Sequence, residues 1–175
     1  MRIAVLTDVH ANLPALEAAL AVIEQEGYDL LVHTGDVINI GPFPAECLER
    51  LLSLPKTHLL MGNHDAWFAF GLPQPQPVWM SDGEVAHQQW THAQLEPSLR
   101  SVVAQWPYSM TYTVDDVTLA LLHYPTNAAG DFLLALKAPG AAELDALFAP
   151  FPGDLLFYGH DHRFADTTGH RRYVN

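Results

Sequence analysis

The sequence predicts an α/β fold built on a parallel sheet, and three observations lead there. Short apolar runs at 2–7 (RIAVLT), 29–34 (DLLVHT) and 57–61 (THLLM) alternate with helix-period segments. That β-α-β-α-β order places parallel strands beneath helical crossovers. Each run also ends abruptly in polar residues: "LLMGNHDAWF" passes from a core strand to Gly62, Asn63, His64 and Asp65 within a few positions. Finally, 175 residues with 49% apolar content suffice for one domain with a real core and are short for two. A single domain over 1–175 is expected, with a loop and helical cap at 66–107 inserted between motifs.

The elements follow in order. After the first strand, Asn12 suits an N-cap and Pro14 an early helical position. Leu13, Leu16, Leu20 and Ile23 form the helical stripe, and Gly27 is the stop. Gly41 and Pro42 mark a turn before a second helix from about Pro44, on which Cys47 reads as a small buried hydrophobe. "GLPQPQPVW" is Pro-rich and predicts an extended loop, whereas "DGEVAHQQWTHAQLEPSLRSVVAQW" predicts two helices broken at Pro97. Two alternating strands around Asp115–Asp116 read as a hairpin. A helix near 140–149, a strand at 154–158 and a short final pair of strands complete the chain.

Composition narrows the function classes. Eight Lys and Arg against 20 Asp and Glu give a formal charge of −12, so the surface repels a nucleic-acid backbone and no long nucleic acid is expected as a partner. An anionic substrate then needs a local source of positive charge, and bound metal supplies one. Ten histidines agree with that. The lone Cys47 excludes an intrachain disulfide and a multi-thiolate zinc site. No apolar run reaches the ~18 residues of a membrane span, and the apolar start before Asp8 is shorter than the roughly 7–15 residues of a signal peptide's core. A cytoplasmic protein with no membrane partner is expected.

The ligand-capable residues gather where strands end. The first strand leads into Asp8 and His10, the second into Asp36, and the third into Asn63, His64 and Asp65. The second hairpin strand leads into His123, and the 154–158 strand into His160 and His162. In open α/β sheets the carboxyl edge is where ligands bind. Asp8/His10 and His160/His162 are spaced i, i+2, so each pair converges if extended geometry persists. Gly35, Gly62 and Gly159 let the backbone approach a bound group. An Asp, Asn and His set without thiolate suits Mn²⁺, Fe, Zn²⁺ or Co²⁺ better than Ca²⁺. Seven ligands exceed one zinc's needs and fit two ions sharing a carboxylate, an arrangement that clamps an in-line displacement at phosphorus.

Taken in order, D-x-H, G-D, G-N-H-D, a lone His and G-H-x-H resemble the calcineurin-like metallophosphoesterases, in particular their small bacterial and archaeal phosphodiesterase branch. The resemblance implies a four-layer α/β-β-α sandwich of two mixed β-sheets flanked by helices. It implies two divalent metal ions, Mn²⁺ first, with Fe, Zn²⁺, Ni²⁺ or Co²⁺ as alternatives. Asp8, His10, Asp36 and His162 would hold one ion, and Asp36, Asn63, His123 and His160 the other. His64 would stand beside the leaving group, with Asp65 orienting its ring. The implied reaction is hydrolysis of a small phosphodiester by a metal-bridging hydroxide. The alternatives are phosphomonoester or dinucleoside polyphosphate hydrolysis, or a metal-binding protein-interaction scaffold of the same fold.

The chain departs from the family pattern at Ala11 and Tyr124, where glycine is usual, and Tyr124 is expected to narrow the site or line the substrate pocket. Asn39-Ile40-Gly41 stands where protein phosphatases carry Asp-Arg-Gly, which argues against that branch. Arg163 is a candidate for meeting a substrate phosphate, with a surface ion pair as the alternative. Trp67, Phe68 and Phe70 read as packing under a long loop, with a stacking wall as the alternative. The helix carrying His87 and Trp90 is a candidate cap, its Trp anchoring it to the core. His33, His58, His92 and His170 read as core or surface residues.

Overall fold

The computed structural model describes residues 1–175. β1 (Ile3–Leu6), β2 (Leu30–His33) and β3 (Thr57–Leu59) form a three-stranded sheet in that spatial order, parallel throughout. α1 (Leu13–Glu26) and α2 (Pro44–Leu52) are its crossovers. Asn12 caps α1 by accepting the Ala15 N–H at 3.2 Å, and Gly27 closes it. Beyond the sheet come α3 (Asn63–Phe70), α4 (Asp82–Ala93) and α5 (Leu99–Val103). β4 (Ser109–Val114) and β5 (Val117–Leu122) then form the hairpin around Asp115 and Asp116. α6 (Ala141–Leu147), β6 (Leu155–Phe157), β7 (Asp166–Thr168) and β8 (Arg172–Val174) follow. The second sheet has the order β4-β5-β6-β8-β7. It mixes antiparallel pairs at both edges with parallel pairing of β5, β6 and β8.

Strand alternation makes the layers visible. Leu30 and Val32 face the second sheet, meeting Met110, Tyr112, Leu119, Leu121 and Phe157 between the sheets. Leu31 points the other way, with Ala4 and Leu6, onto Leu16, Leu20, Cys47, Leu48 and Leu51 of α1 and α2. Ala120, Leu122 and Leu156 turn outward onto Leu144 and Phe148 at α6. Helices, sheet, sheet and helix therefore stack in four layers, because each strand has two apolar faces and each face is covered.

α3 replaces the expected loop after the third strand. Gly62 is its N-cap, so Asn63, His64 and Asp65 form its first turn. Phe68, on the same helix, is fully buried, and Arg100 of α5 donates to its carbonyl and lies 4.7 Å over its ring. The Pro-rich 71–79 segment carries neither helix nor strand, as its prolines dictate. No helix is long and apolar enough to cross a membrane.

Candidate metal centre

The carboxyl ends of β1, β2, β3, β5 and β6 meet at one edge of the sandwich. Backbone bonds tie the emerging loops together: Asp8 N–H to the Gly35 carbonyl at 3.1 Å, His10 N–H to Asp36 at 3.0 Å, and Gly159 N–H to His123 at 2.9 Å. The His160 N–H donates to both Asp8 carboxylate oxygens, at 3.2 and 3.1 Å, and so joins the two sheets.

Convergence does not come from strand alternation. Asp8, His10, Asp36, His160 and His162 all have positive φ, from 47° to 78°, so extended geometry ends before the ligands begin. The left-handed backbone folds each loop back on itself. For non-glycine residues this costs on the order of 1–3 kcal/mol apiece, and such outliers cluster at functional sites. Glycine allows the close approach. A Cβ on Gly62 would overlap the Asp36 amide and carboxylate, and one on Gly159 would overlap Thr7 Oγ1 and Asp8 Oδ2.

The side chains form two outer groups joined by a third. Ligand atoms of Asp8, His10 and His162 lie within 4.8 Å of one another, as do those of Asp36, His123 and His160, and those of His10, Asp36 and His64 between them. Asp36 Oδ2 is 3.2 Å from His123 Nε2 and 3.7 Å from His10 Nε2, so it stands between the groups. Asn63 Oδ1 is 3.1 Å from His123 Nε2. His10 Nε2 and His162 Nε2 face each other at 2.9 Å, two ring nitrogens turned toward one spot. The His160 Nε2–H donates to the Leu133 carbonyl at 3.1 Å, which leaves Nδ1 as its free nitrogen. A peripheral bond of this kind fixes the tautomer of a metal-ligating histidine. Inward-facing nitrogen and oxygen donors with no lysine or arginine among them fit divalent cations.

Electrostatics agree. Burial pushes the Asp8 carboxyl up, but hydrogen bonds from His10 and His162 outweigh it and hold the group far below the usual carboxylate range. Burial also opposes ionisation of Asp36, yet His123 and His64 hold it low. Both carboxylates are thus ready acceptors of positive charge. His123 is raised, because Asp36 and Asp8 overcome its burial. Burial drives His64 down to about 4 against the pull of Asp36, so its ring is neutral near pH 7.

Asp65 does not orient the His64 ring. Its Oδ2 accepts the Asp36 N–H at 2.7 Å and the Gly62 N–H at 3.0 Å, and its Oδ1 accepts the Val37 and Ile38 amides at 3.1 and 3.4 Å. From the first turn of α3 the carboxylate reaches back to cap the helix and clamp the Asp36 loop. Burial and the Asp36 charge push it up to about 7, while these four amides favour its ionised form. Orientation of His64 falls to residues that sequence motifs did not single out. Asn39 Nδ2 lies 2.8 Å and Gln88 Nε2 2.7 Å from His64 Nδ1, and the Thr91 hydroxyl donates to Asn39 Oδ1 at 2.8 Å. Asn39 and Gln88 both turn their amide groups to Nδ1, which leaves Nε2 as the ring nitrogen toward Asp36. Asn39 was legible as a ligand-like residue three positions after Asp36, whereas Gln88, one of two adjacent glutamines on α4, carried no sequence signal. Gln88 and Thr91, both fully buried, anchor α4 over the centre. Trp90 does not: it is 43% exposed and stacks on His87.

A cavity of about 790 Å³ opens over the centre and is lined by Asp36, Asn63, His64, His160 and His162, a size usual for small-molecule sites. Neither Arg163 nor Tyr124 lines it. Arg163 pairs with Asp161 at 3.4 Å. The Tyr124 hydroxyl accepts the Leu136 N–H at 3.0 Å and its ring packs 4.8 Å from that of His160, so it buttresses a proposed ligand from behind. The aromatic trio divides: Phe68 is core, whereas Trp67 and Phe70 line the cavity.

A family model for calcineurin-like phosphoesterases matches residues 1–164, and the chain belongs to that family. It is 36% identical over 75 residues to phosphodiesterase YfcE of Escherichia coli, a match covering 38% of this chain and 41% of YfcE. The chain spans less than half the length of the curated relatives it matches. Protein PH1004 of Pyrococcus horikoshii superposes with a TM-score of 0.80 at 22% identity, over 99% of this chain and 75% of that one. A metallophosphoesterase of Sphaerobacter thermophilus gives 0.70 at 26% identity, over 100% and 75%.

Proposed function

We propose that this protein is a binuclear, divalent-metal-dependent phosphodiesterase acting on a small phosphodiester. The position of Asp36 carries the reading: one carboxylate oxygen stands between two separate ligand groups, as a carboxylate shared by two ions must. Family membership and the YfcE likeness support the same reaction class. Asp8, His10, Asp36 and His162 would hold one cation, and Asp36, Asn63, His123 and His160 the other. When bound, such a pair neutralises phosphoryl oxygens and supplies an activated water. The oxygen and nitrogen donors suit Mn²⁺, with Fe, Zn²⁺, Co²⁺ or Ni²⁺ as competitors.

The chain's own contribution is position. Asp65 holds the Asp36–Ile38 loop through backbone amides, so the shared carboxylate is fixed before substrate arrives. His64 lines the cavity with Nε2 4.0 Å from Asp36 Oδ2, and its Nδ1 is occupied by Asn39 and Gln88. A neutral ring with its proton on Nε2 donates a hydrogen bond to the leaving oxygen as negative charge develops there. Such a donor stabilises the transition state without needing to be an imidazolium.

The test strips the protein of metal, restores Mn²⁺, and compares bis-p-nitrophenyl phosphate with p-nitrophenyl phosphate. Mn²⁺-dependent cleavage favouring the diester is the expected result. Preference for the monoester would overturn the diesterase reading. Bound metal without turnover of either compound would favour a scaffold.

A further inference from the structure

This inference rests on the phosphodiesterase reading and concerns what the cavity accepts beyond the scissile phosphate. Two aromatic pairs flank the centre. Trp67 meets the His64 ring edge-on, with centroids 4.8 Å apart, and Trp79 stacks on Trp67 at 6.0 Å and 29°. On the other side, Phe132 meets His123 edge-on at 5.6 Å and Tyr108 stacks on Phe132 at 5.5 Å and 27°. All four line the cavity, and Trp79 is 48% exposed, so a wall is open to a ligand.

Charge in the cavity is one-sided. Glu84 and Asp131 are lining residues, and none of the chain's eight lysines and arginines is. Arg50, Arg100, Arg163, Arg171 and Arg172 are engaged with carboxylates or carbonyls elsewhere. Away from the metal centre, a second phosphate on the substrate would meet two carboxylates and no cation. A neutral flat ring would meet indole faces.

We propose that the site selects a phosphodiester with a single negative charge whose ester arm carries a planar aromatic ring of nucleobase type, seated on the Trp67–Trp79 wall, and that it rejects substrates bearing further phosphates. Trp67 touches His64, so the wall begins beside the leaving oxygen. The Trp pair discriminates for the ring, and Glu84 and Asp131 discriminate against added anionic charge.

Cyclic diesters make the test clean, because both ester oxygens then belong to one arm. The Mn²⁺-loaded protein is assayed on adenosine 2′,3′-cyclic phosphate, glycerol 1,2-cyclic phosphate and the 5′-phosphorylated form of the adenosine compound, with bis-p-nitrophenyl phosphate as the control. The adenosine diester should exceed the glycerol diester in kcat/KM by roughly five- to hundredfold, the span of one base–aromatic stack. Adding the 5′-phosphate should cost about tenfold, consistent with like-charge repulsion from Glu84 and Asp131 on a wall that carries no lysine or arginine. Trp79→Ala should shrink the ring preference, and Glu84→Gln or Asp131→Asn should relax the rejection of the 5′-phosphate. Cleavage of bis-p-nitrophenyl phosphate with equal rates, or none, on the adenosine and glycerol compounds overturns this inference alone. So does a ring preference untouched by Trp79→Ala. Silence on bis-p-nitrophenyl phosphate as well overturns the phosphodiesterase reading and this inference with it.

Discussion

Gln88, in the middle of α4, holds the Nδ1 nitrogen of His64, at the start of α3, across 2.7 Å of buried space. Through this contact the cap reaches the chemistry, and Thr91, one helical turn on, supports the same ring through Asn39. Gln88→Ala should lower kcat on bis-p-nitrophenyl phosphate about ten- to hundredfold, the equivalent of ~1–3 kcal/mol for one buried hydrogen bond. KM and bound metal should stay near wild type, as kinetics with metal analysis of the same sample will show. A loss confined to KM would mean that Gln88 acts on substrate rather than on His64.

His64→Ala should be more severe, about 10²- to 10³-fold in kcat, the range for loss of a hydrogen-bond donor to transition-state charge. The Mn²⁺ content should be retained, since His64 is outside the proposed ligand set.

Asp36→Ala should disturb both cations at once, because its carboxylate lies between the two ligand groups. Equilibrium dialysis against Mn²⁺ should show weakened binding at both sites. Loss of a single ion would remove Asp36 from its bridging role.

Gly62 and Gly83 make a contrasting pair. Gly62→Ala drives a methyl group into the Asp36 backbone and carboxylate, whereas Gly83→Ala, in the first turn of α4, meets only Ser81 Oγ at 3.8 Å. The first should lower both Mn²⁺ affinity and the midpoint of urea unfolding. The second should leave Mn²⁺ affinity alone and raise stability by ~0.5–1 kcal/mol, the usual gain of alanine over glycine in a helix.

His33 sets an acid limit on the metal-free protein. Fully buried in β2, it is pushed down to about 4 by that burial. The unfolded chain binds a proton there near pH 6.5 and the folded chain does so only near 4. The stabilisation is therefore full above about 6.5 and is lost as pH falls through 4. Urea titrations across this window should show a decline of at most ~3 kcal/mol from this residue. His33→Gln should flatten that decline.

Much of the architecture was legible because burial writes itself into period. The runs at 29–34 and 154–158 have two apolar faces and became the inner strands β2 and β6, the run at 2–7 became β1 beside β2, and Asn12 with Gly27 bounded α1 as capping chemistry requires. α3 was hidden because Gly62 and Asn63 look like a turn, and helix formation there depends on Asp65 reaching back to Gly62. The two ligand groups were legible as types and positions, but not the way they converge. Strand alternation was the wrong device: left-handed backbone brings Asp8 and His10 into one group but sends His160 and His162, read as a converging pair, into different ones. Partners brought together only by folding, such as Gln88 with His64 or Trp79 with Trp67, left no trace in local sequence. Asp65 was singled out but given the wrong neighbour, because its carboxylate serves backbone amides that no motif displays.

Counting the cations tests the central claim most directly. Metal-free protein is titrated with Mn²⁺, and bound metal and bis-p-nitrophenyl phosphate turnover are measured on the same samples. Two equivalents should bind per chain, with turnover absent from the metal-free sample and reaching its plateau as the second site fills. Saturation at one equivalent, or turnover that does not depend on metal, would contradict a binuclear centre organised around Asp36.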